Sequence, residues 1–171
     1  MINNKKRALL KNMALFSSAA IVSSCTEKAE VPNLSDSKFP KVKLRMVTSF
    51  PRNLPGADIP AQMLATRIKN MSQGKIDVTH YAAGELVPAF EVFDAVRENI
   101  ADCAYTAPQY WISKHKAIPF FCCIPGGMTS KELFVWLNQG EGQKLWDELY
   151  ETFNLKGFPA GDTGTTMGGW F

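Results

Sequence analysis

Between Lys41 and Thr106 the hydrophobic pattern switches period four times, and this switching restricts the fold more than any other feature of the chain. Val42, Leu44 and Met46 alternate with Lys43 and Arg45, the two-residue period of a strand. Met63, Leu64, Ile68 and Met71 then share one face of a helix predicted over Pro60–Met71, with Gly74 as its stop. Lys75 to Tyr81 returns to alternation. Pro88 opens a second predicted helix reaching Asn99, with Phe90, Val92, Phe93, Val96 and Ile100 at three- and four-residue spacings. Ala101, Cys103 and Tyr105 alternate once more, until Pro108 breaks the strand. The order strand, helix, strand, helix, strand implies parallel pairing through right-handed crossovers, hence an α/β sheet with helices on both faces.

Ligands on such sheets bind at the carboxyl ends of the strands. Three loops answer to that description: 48–52, 82–87 and 106–111. Glu85 stands in the second, where a carboxylate orients a cleft by accepting backbone N–H groups or coordinates an ion beside a ligand. Phe50, Tyr110, Trp111 and Trp170 all fall at loop or post-strand positions, where aromatic walls exclude water and strengthen hydrogen bonds to a small anion. Further on, Thr129 and Glu132 form a capping box ahead of Leu133, Phe134, Trp136 and Leu137. A helix is expected over 142–153 and another strand over Leu155–Ala160. The stretch from Gly161 to Phe171 is a glycine-rich loop that ends on two aromatic residues.

The amino terminus belongs to a different regime. Lys5, Lys6, Arg7 and Lys11 precede an apolar run from Met13 to Val22, too short to span a bilayer, and the segment reads as an export signal. Val22-Ser23-Ser24-Cys25 resembles the lipobox of bacterial lipoproteins, which makes Cys25 the expected lipidation site and residues 1–24 a signal peptide. Residues 25–40, mixing charge, proline and serine, form the expected tether between anchor and domain. The formal net charge of +3 belongs to this leader: without it, 15 basic residues face 16 acidic ones. No basic patch is left for nucleic acid.

The remaining cysteines are Cys103, Cys122 and Cys123. In an oxidising compartment Cys103 pairs with one of the vicinal two, or all three pack as small buried thiols. Two histidines, His80 and His115, are too few for a zinc site with those spacings. His80 reads as a satisfied or partly exposed sheet residue. The chain has no G-x-S-x-G, no H-E-x-x-H and no P-loop lysine, so enzymatic catalysis is not expected.

TSFPRN (48–53), AAGELVPAFEVFDAVRENIADCAYTAPQYWISK (82–114) and GDTGTTMGGWF (161–171) together resemble the extracytoplasmic solute-binding proteins of TRAP transporters. The resemblance is to the dicarboxylate-binding type, and especially to members that take 2-oxo acids and related monocarboxylates. It covers Lys41 to Phe171. It implies a periplasmic-binding-protein fold of two hinged α/β domains that close on a small carboxylate and deliver it to TRAP membrane permease subunits for ion-gradient-driven uptake. The expected location is the periplasm or the outer face of the membrane, lipid-anchored.

On this reading residues 41–171 are the first domain and the start of the crossover to a second. The arginine that clamps the solute carboxylate in such proteins would lie beyond Phe171. A single jaw cannot close, so weak or no solute binding is expected of this length of chain. The expected ligand-binding residues are Phe50, Glu85, Thr106, Tyr110, Trp111, Thr163, Thr166 and Trp170. A sodium or calcium ion at the solute site is a further implication, although Thr166 stands where 2-oxo-acid-binding relatives carry a glutamine that helps to hold it. The alternatives are an envelope lipoprotein interaction module with aromatic loops as its binding surface, or a fragment without function.

Overall fold

The computed structural model describes residues 40–162 of the 171. The predicted signal peptide, Cys25, most of the tether, and Thr163, Thr166 and Trp170 lie outside them. Three strands, β1 (Val42–Thr48), β2 (Ile76–Tyr81) and β3 (Cys103–Tyr105), form one parallel sheet in the order β2-β1-β3. Its helices are α1 (Asp58–Met71), α2 (Val92–Arg97), α3 (Ser130–Gln139) and α4 (Gly142–Glu151), with short 3₁₀ turns at Pro108–Trp111 and Ile118–Phe121. Among the described residues no helix is long and apolar enough to cross a membrane.

The register explains the two-sided core. Met46 pairs with His80 and Cys103, while Val47 pairs with Tyr81 and Ala104. Because successive side chains point to opposite faces, Met46 joins Ala61 and Ala65 of α1 on one side, with Val78, Cys103 and Tyr105 around them. Val47 faces the larger core of Val92, Phe93, Trp111, Ile118, Phe121, Leu137, Trp146 and Tyr150. Each large apolar side chain buried there stabilises the fold by about 1.5–3 kcal/mol.

Helix α1 begins two residues earlier than predicted and meets the sheet differently. Ala61 and Ala65 are its buried apolar residues, whereas Met63 and Met71 are exposed. Ala61 and Ala65, four residues apart, share the face turned to the sheet, and Met63, two residues from each, falls on the opposite side of the helix. The chain leaves α1 through Gln73 and Gly74, both in the left-handed region, with Gly74 N–H donating to Lys69 C=O at 2.8 Å.

The second helix is shorter than the predicted 88–99. Pro88–Glu91 is a turn closed by Glu91 N–H donating to Pro88 C=O, and regular helix starts only at Val92. Phe90 is therefore out of phase with Val92 and Phe93, and at 68% exposure it does not join the core. The helix ends with Asn99 at φ 60° and Ile100 N–H on Ala95 C=O.

Beyond the sheet, Phe121 stacks between Trp136 and Trp146, its ring within 7° of parallel to both. The capping box of α3 forms as predicted: Thr129 N–H donates to Glu132 Oε2 at 2.8 Å and Glu132 N–H returns to Thr129 Oγ1. Residues 155–160 correct the sequence reading, because they are irregular and join no strand. Gln143 Nε2 donates to Gly157 C=O at 2.8 Å, occupying an acceptor that a ladder would need. Gly157 also lies flat on Trp146, where a Cβ would come within 2.3 Å of the indole.

Candidate solute-binding edge

Parallel register brings Thr48, Tyr81 and Tyr105 to one end of the sheet. The three loops that leave them are cross-linked. Thr48 is buried, and its Oγ1 accepts Phe50 N–H at 2.8 Å, which turns the chain sharply out of β1. Ser49 Oγ and Thr106 Oγ1 share a hydrogen bond of 2.6 Å between the first and third loops. Phe50 C=O accepts Ala83 N–H at 3.0 Å between the first and second.

Glu85 completes the link. The tight turn over 82–87 passes through Gly84 at φ 83°, a left-handed conformation that favours glycine. Arg52 Nε donates to Glu85 Oε1 at 2.5 Å, Arg52 Nη2 to Glu85 Oε2, and Ala82 N–H to the same Oε2 at 3.0 Å. The Arg52 guanidinium, followed by the Ala82 N–H, holds the Glu85 carboxyl at about 2, well below the usual carboxylate range. Glu85 in turn raises Arg52. Both Glu85 oxygens are therefore engaged in joining loops.

An aromatic ladder lies beside these polar links. Phe50 meets Tyr105 and Tyr110 at ring separations of 6.3 Å, and Tyr110 meets Phe90 edge-on at 5.5 Å. Tyr110 and Phe90 are exposed, and Phe50 and Tyr105 half-buried. Burial raises the Tyr105 phenol, which remains a neutral hydroxyl at physiological pH. Gly161 passes directly over it, since a Cβ there would stand 2.6 Å from the Tyr105 oxygen.

Four of the expected residues, Phe50, Glu85, Thr106 and Tyr110, thus come together. Trp111 does not. It is 2% exposed and packs on Phe93 at 5.5 Å, because a 3₁₀ turn rotates consecutive side chains by about a third of a circle, sending Tyr110 outward and Trp111 into the core. Arg52, Ser49, Tyr105 and Phe90 were missed. Arg52 and Ser49 sit in the loop after β1 and Tyr105 ends β3, so their positions at strand ends were the available signal. The spacing of Phe90 with Val92 and Phe93 predicts a buried helical position instead.

Cys103, Cys122 and Cys123 are free thiols. Cys103 packs with the smaller core and Cys122 donates to Gln109 Oε1 at 2.9 Å. Burial pushes their thiols up to about 11 and about 12, so both stay protonated. Among the described residues no three His, Cys, Asp or Glu side chains are grouped to hold a metal ion.

The sequence and the fold match known proteins. A model of the bacterial extracellular solute-binding proteins, family 7, matches residues 57–167, and the chain belongs to that family. It is 38% identical over 169 residues to the monocarboxylate 2-oxoacid-binding periplasmic protein of Nostoc sp. (strain PCC 7120), covering 98% of this chain and 45% of that one. Its fold resembles the TRAP periplasmic solute-binding protein of Pseudoalteromonas atlantica T6c, solved with sodium and pyruvate, at TM-score 0.74 and 31% identity over 77% of this chain and 40% of that one. The corresponding protein of Colwellia psychrerythraea, solved with calcium and pyruvate, gives TM-score 0.74 at 28% identity, again over 77% and 40%. The chain spans less than half the length of these relatives.

Proposed function

We propose that this chain supplies one wall of the solute site of a TRAP-type binding protein, which captures a small carboxylate such as a 2-oxo acid and releases it unchanged to a membrane permease. The observation that carries this reading is the cross-linking of three strand-end loops by Ser49–Thr106, Phe50–Ala83 and Arg52–Glu85 beside an aromatic ladder. The Ser49–Thr106 hydrogen bond uses one of that pair's two hydroxyl protons, the other can donate to a carboxylate, and the rings suit a short apolar tail. The relatives solved with pyruvate support the solute class. An accompanying sodium or calcium ion would need oxygen donors other than Glu85, whose two oxygens are already bonded.

In the same proposal residues 1–24 direct export, Cys25 carries the lipid, 25–40 form the tether and 41–171 the domain, with Thr163, Thr166 and Trp170 completing the wall. Titrating the isotope-labelled chain with pyruvate, and with acetone as an uncharged counterpart, tests the assignment. Because a single wall binds weakly, pyruvate is added to about 100 mM, a concentration that populates a site of millimolar Kd, and pyruvate alone is expected to shift the amide resonances of Ser49, Ala83, Thr106 and Tyr110. Equal effects of the two compounds, or shifts confined to other residues, would remove the carboxylate reading and favour an interaction module. Mass measurement of membrane-extracted protein tests the anchor, which predicts acylation on Cys25 and its loss in Cys25→Ala.

A further inference from the structure

Behind the polar links lies a second pair of side chains that nothing in the solute reading uses. Asp58, the first residue of α1, is fully buried, and His80, near the end of β2, has an 8% exposed side chain. His80 Nε2 stands 2.8 Å from Asp58 Oδ1, a close contact not aligned as a hydrogen bond, and His80 Nδ1 has no hydrogen-bond partner among the described residues. The other carboxylate oxygen accepts Asn53 N–H at 2.8 Å and Gln62 Nε2 at 2.7 Å. Burying such groups is costly unless they are paired and hydrogen-bonded. Their places in the chain suggest what the cost supports. Asn53 directly follows Arg52 and reverses the backbone at φ 62°, a left-handed conformation held by its N–H on Asp58. His80 lies two residues before Ala82, whose N–H binds Glu85.

We infer that Asp58 and His80 form a positioning pair that holds both sides of the Arg52–Glu85 bridge and thereby sets the shape of the solute-binding edge. The last clause rests on the solute reading; the positioning itself does not. The pair is linked to both ends: Asp58 through the backbone that carries Arg52, His80 through the strand that delivers Ala82 and Glu85. Charge reaches the bridge as well, Asp58 acting on Arg52 and His80 on Glu85.

Direct electrostatics and positioning make opposite forecasts, which gives a clean test on the full chain. Removing the Asp58 charge takes a like charge away from Glu85, so a purely electrostatic effect in Asp58→Ala leaves the Glu85 carboxyl low or lowers it. Positioning instead frees Arg52 from Glu85, and the Glu85 carboxyl, followed by NMR titration, is expected to rise from about 2 toward its ordinary 4.5. Asp58→Asn keeps an acceptor for Asn53 and Gln62 and is expected to leave Glu85 low. A folded Asp58→Ala chain with Glu85 still near its wild-type value overturns the inference.

Should Asp58→Ala fail to fold, His80→Phe tests the other partner by amide hydrogen exchange. Exchange at Asn53 and Ala82 is expected to quicken by about tenfold or more while Val47, deep in β1, is unchanged. Uniform acceleration at all three, or none at Asn53 and Ala82, overturns the inference. Pyruvate separates the two readings. A wild-type chain indifferent to pyruvate, with Glu85 still rising in Asp58→Ala, removes the solute assignment and leaves the pair standing. Equal pyruvate affinity in wild type and Asp58→Ala removes the pair's role at the site.

Discussion

Two regions of this domain are held by opposite means. Around Phe121 the structure is aromatic and dry: the ring is clamped between Trp136 and Trp146, Tyr150 closes the cluster edge-on against Trp146, and Gly157 lies flat against the indole. At the carboxyl ends of the strands the chain is held by hydroxyls, a guanidinium, a carboxylate and backbone N–H groups. Apolar burial is non-directional and sums over area. Hydrogen bonds contribute little net stability each but dictate direction. The aromatic region therefore supplies stability, and the polar region supplies geometry.

That contrast can be broken most severely in its dry region. Phe121→Ala is expected to cost about 3–5 kcal/mol in denaturant unfolding, because the two indoles cannot both collapse into the space. A loss below about 1 kcal/mol would mean that the stacked cluster is not a stabilising centre. Gly157→Ala is the converse insult. Its Cβ would fall 2.3 Å from Trp146, and overpacking of that kind is expected to cost about 1–3 kcal/mol. A neutral result would show that residues 155–160 can move off the indole.

In the polar region the stability effects shrink and the geometric ones grow. Ser49→Ala and Thr106→Val should each cost about 0.5–1.5 kcal/mol, and the double variant should cost less than their sum, since they share one hydrogen bond. Additive losses would show that the pair is not coupled. Arg52→Ala should barely alter unfolding but should raise the Glu85 carboxyl from about 2 toward 4.5. Because the folded value lies below the ordinary one, the bridge's contribution is present above about 4.5 and is lost as pH falls toward about 2. Wild type is therefore expected to lose order at residues 82–87 across that window, visible in amide line widths, while Arg52→Ala shows no such step. A step in both would place its origin elsewhere.

Much of this arrangement was legible in the residue pattern. The periods of Val42–Met46, Lys75–Tyr81 and Ala101–Tyr105 implied a parallel sheet, and the sheet implied that the loops after Thr48, Tyr81 and Tyr105 would meet. Thr129 and Glu132 announced their cap, since capping is local chemistry. What failed was phase and depth. The spacing of Phe90 and Val92 fits one helical stripe, yet the turn at Pro88–Glu91 puts Phe90 outside. Met63 is as apolar as the alanines of α1, but it lies two residues from both Ala61 and Ala65 and so on the opposite side of the helix, a phase that the four-residue spacing of the alanines itself encodes. Residues 155–160 have strand-like composition, and a side-chain amide from Gln143 took the place of a neighbouring strand.

By itself the sequence determined the order of elements, the parallel sheet and the edge where loops converge, because these follow from short-range periodicity and the handedness of crossovers. It also carried the family, through stretches such as 82–114. Tertiary structure decided which partner each polar side chain takes: that Glu85 meets Arg52 from 33 residues away, that Ser49 meets Thr106 from 57, and that Asp58 stands beside His80. It also sent Trp111 into the core while leaving Tyr110 outside. Partner choice depends on angles and distances of a few tenths of an ångström between segments remote in sequence, and no local period encodes those.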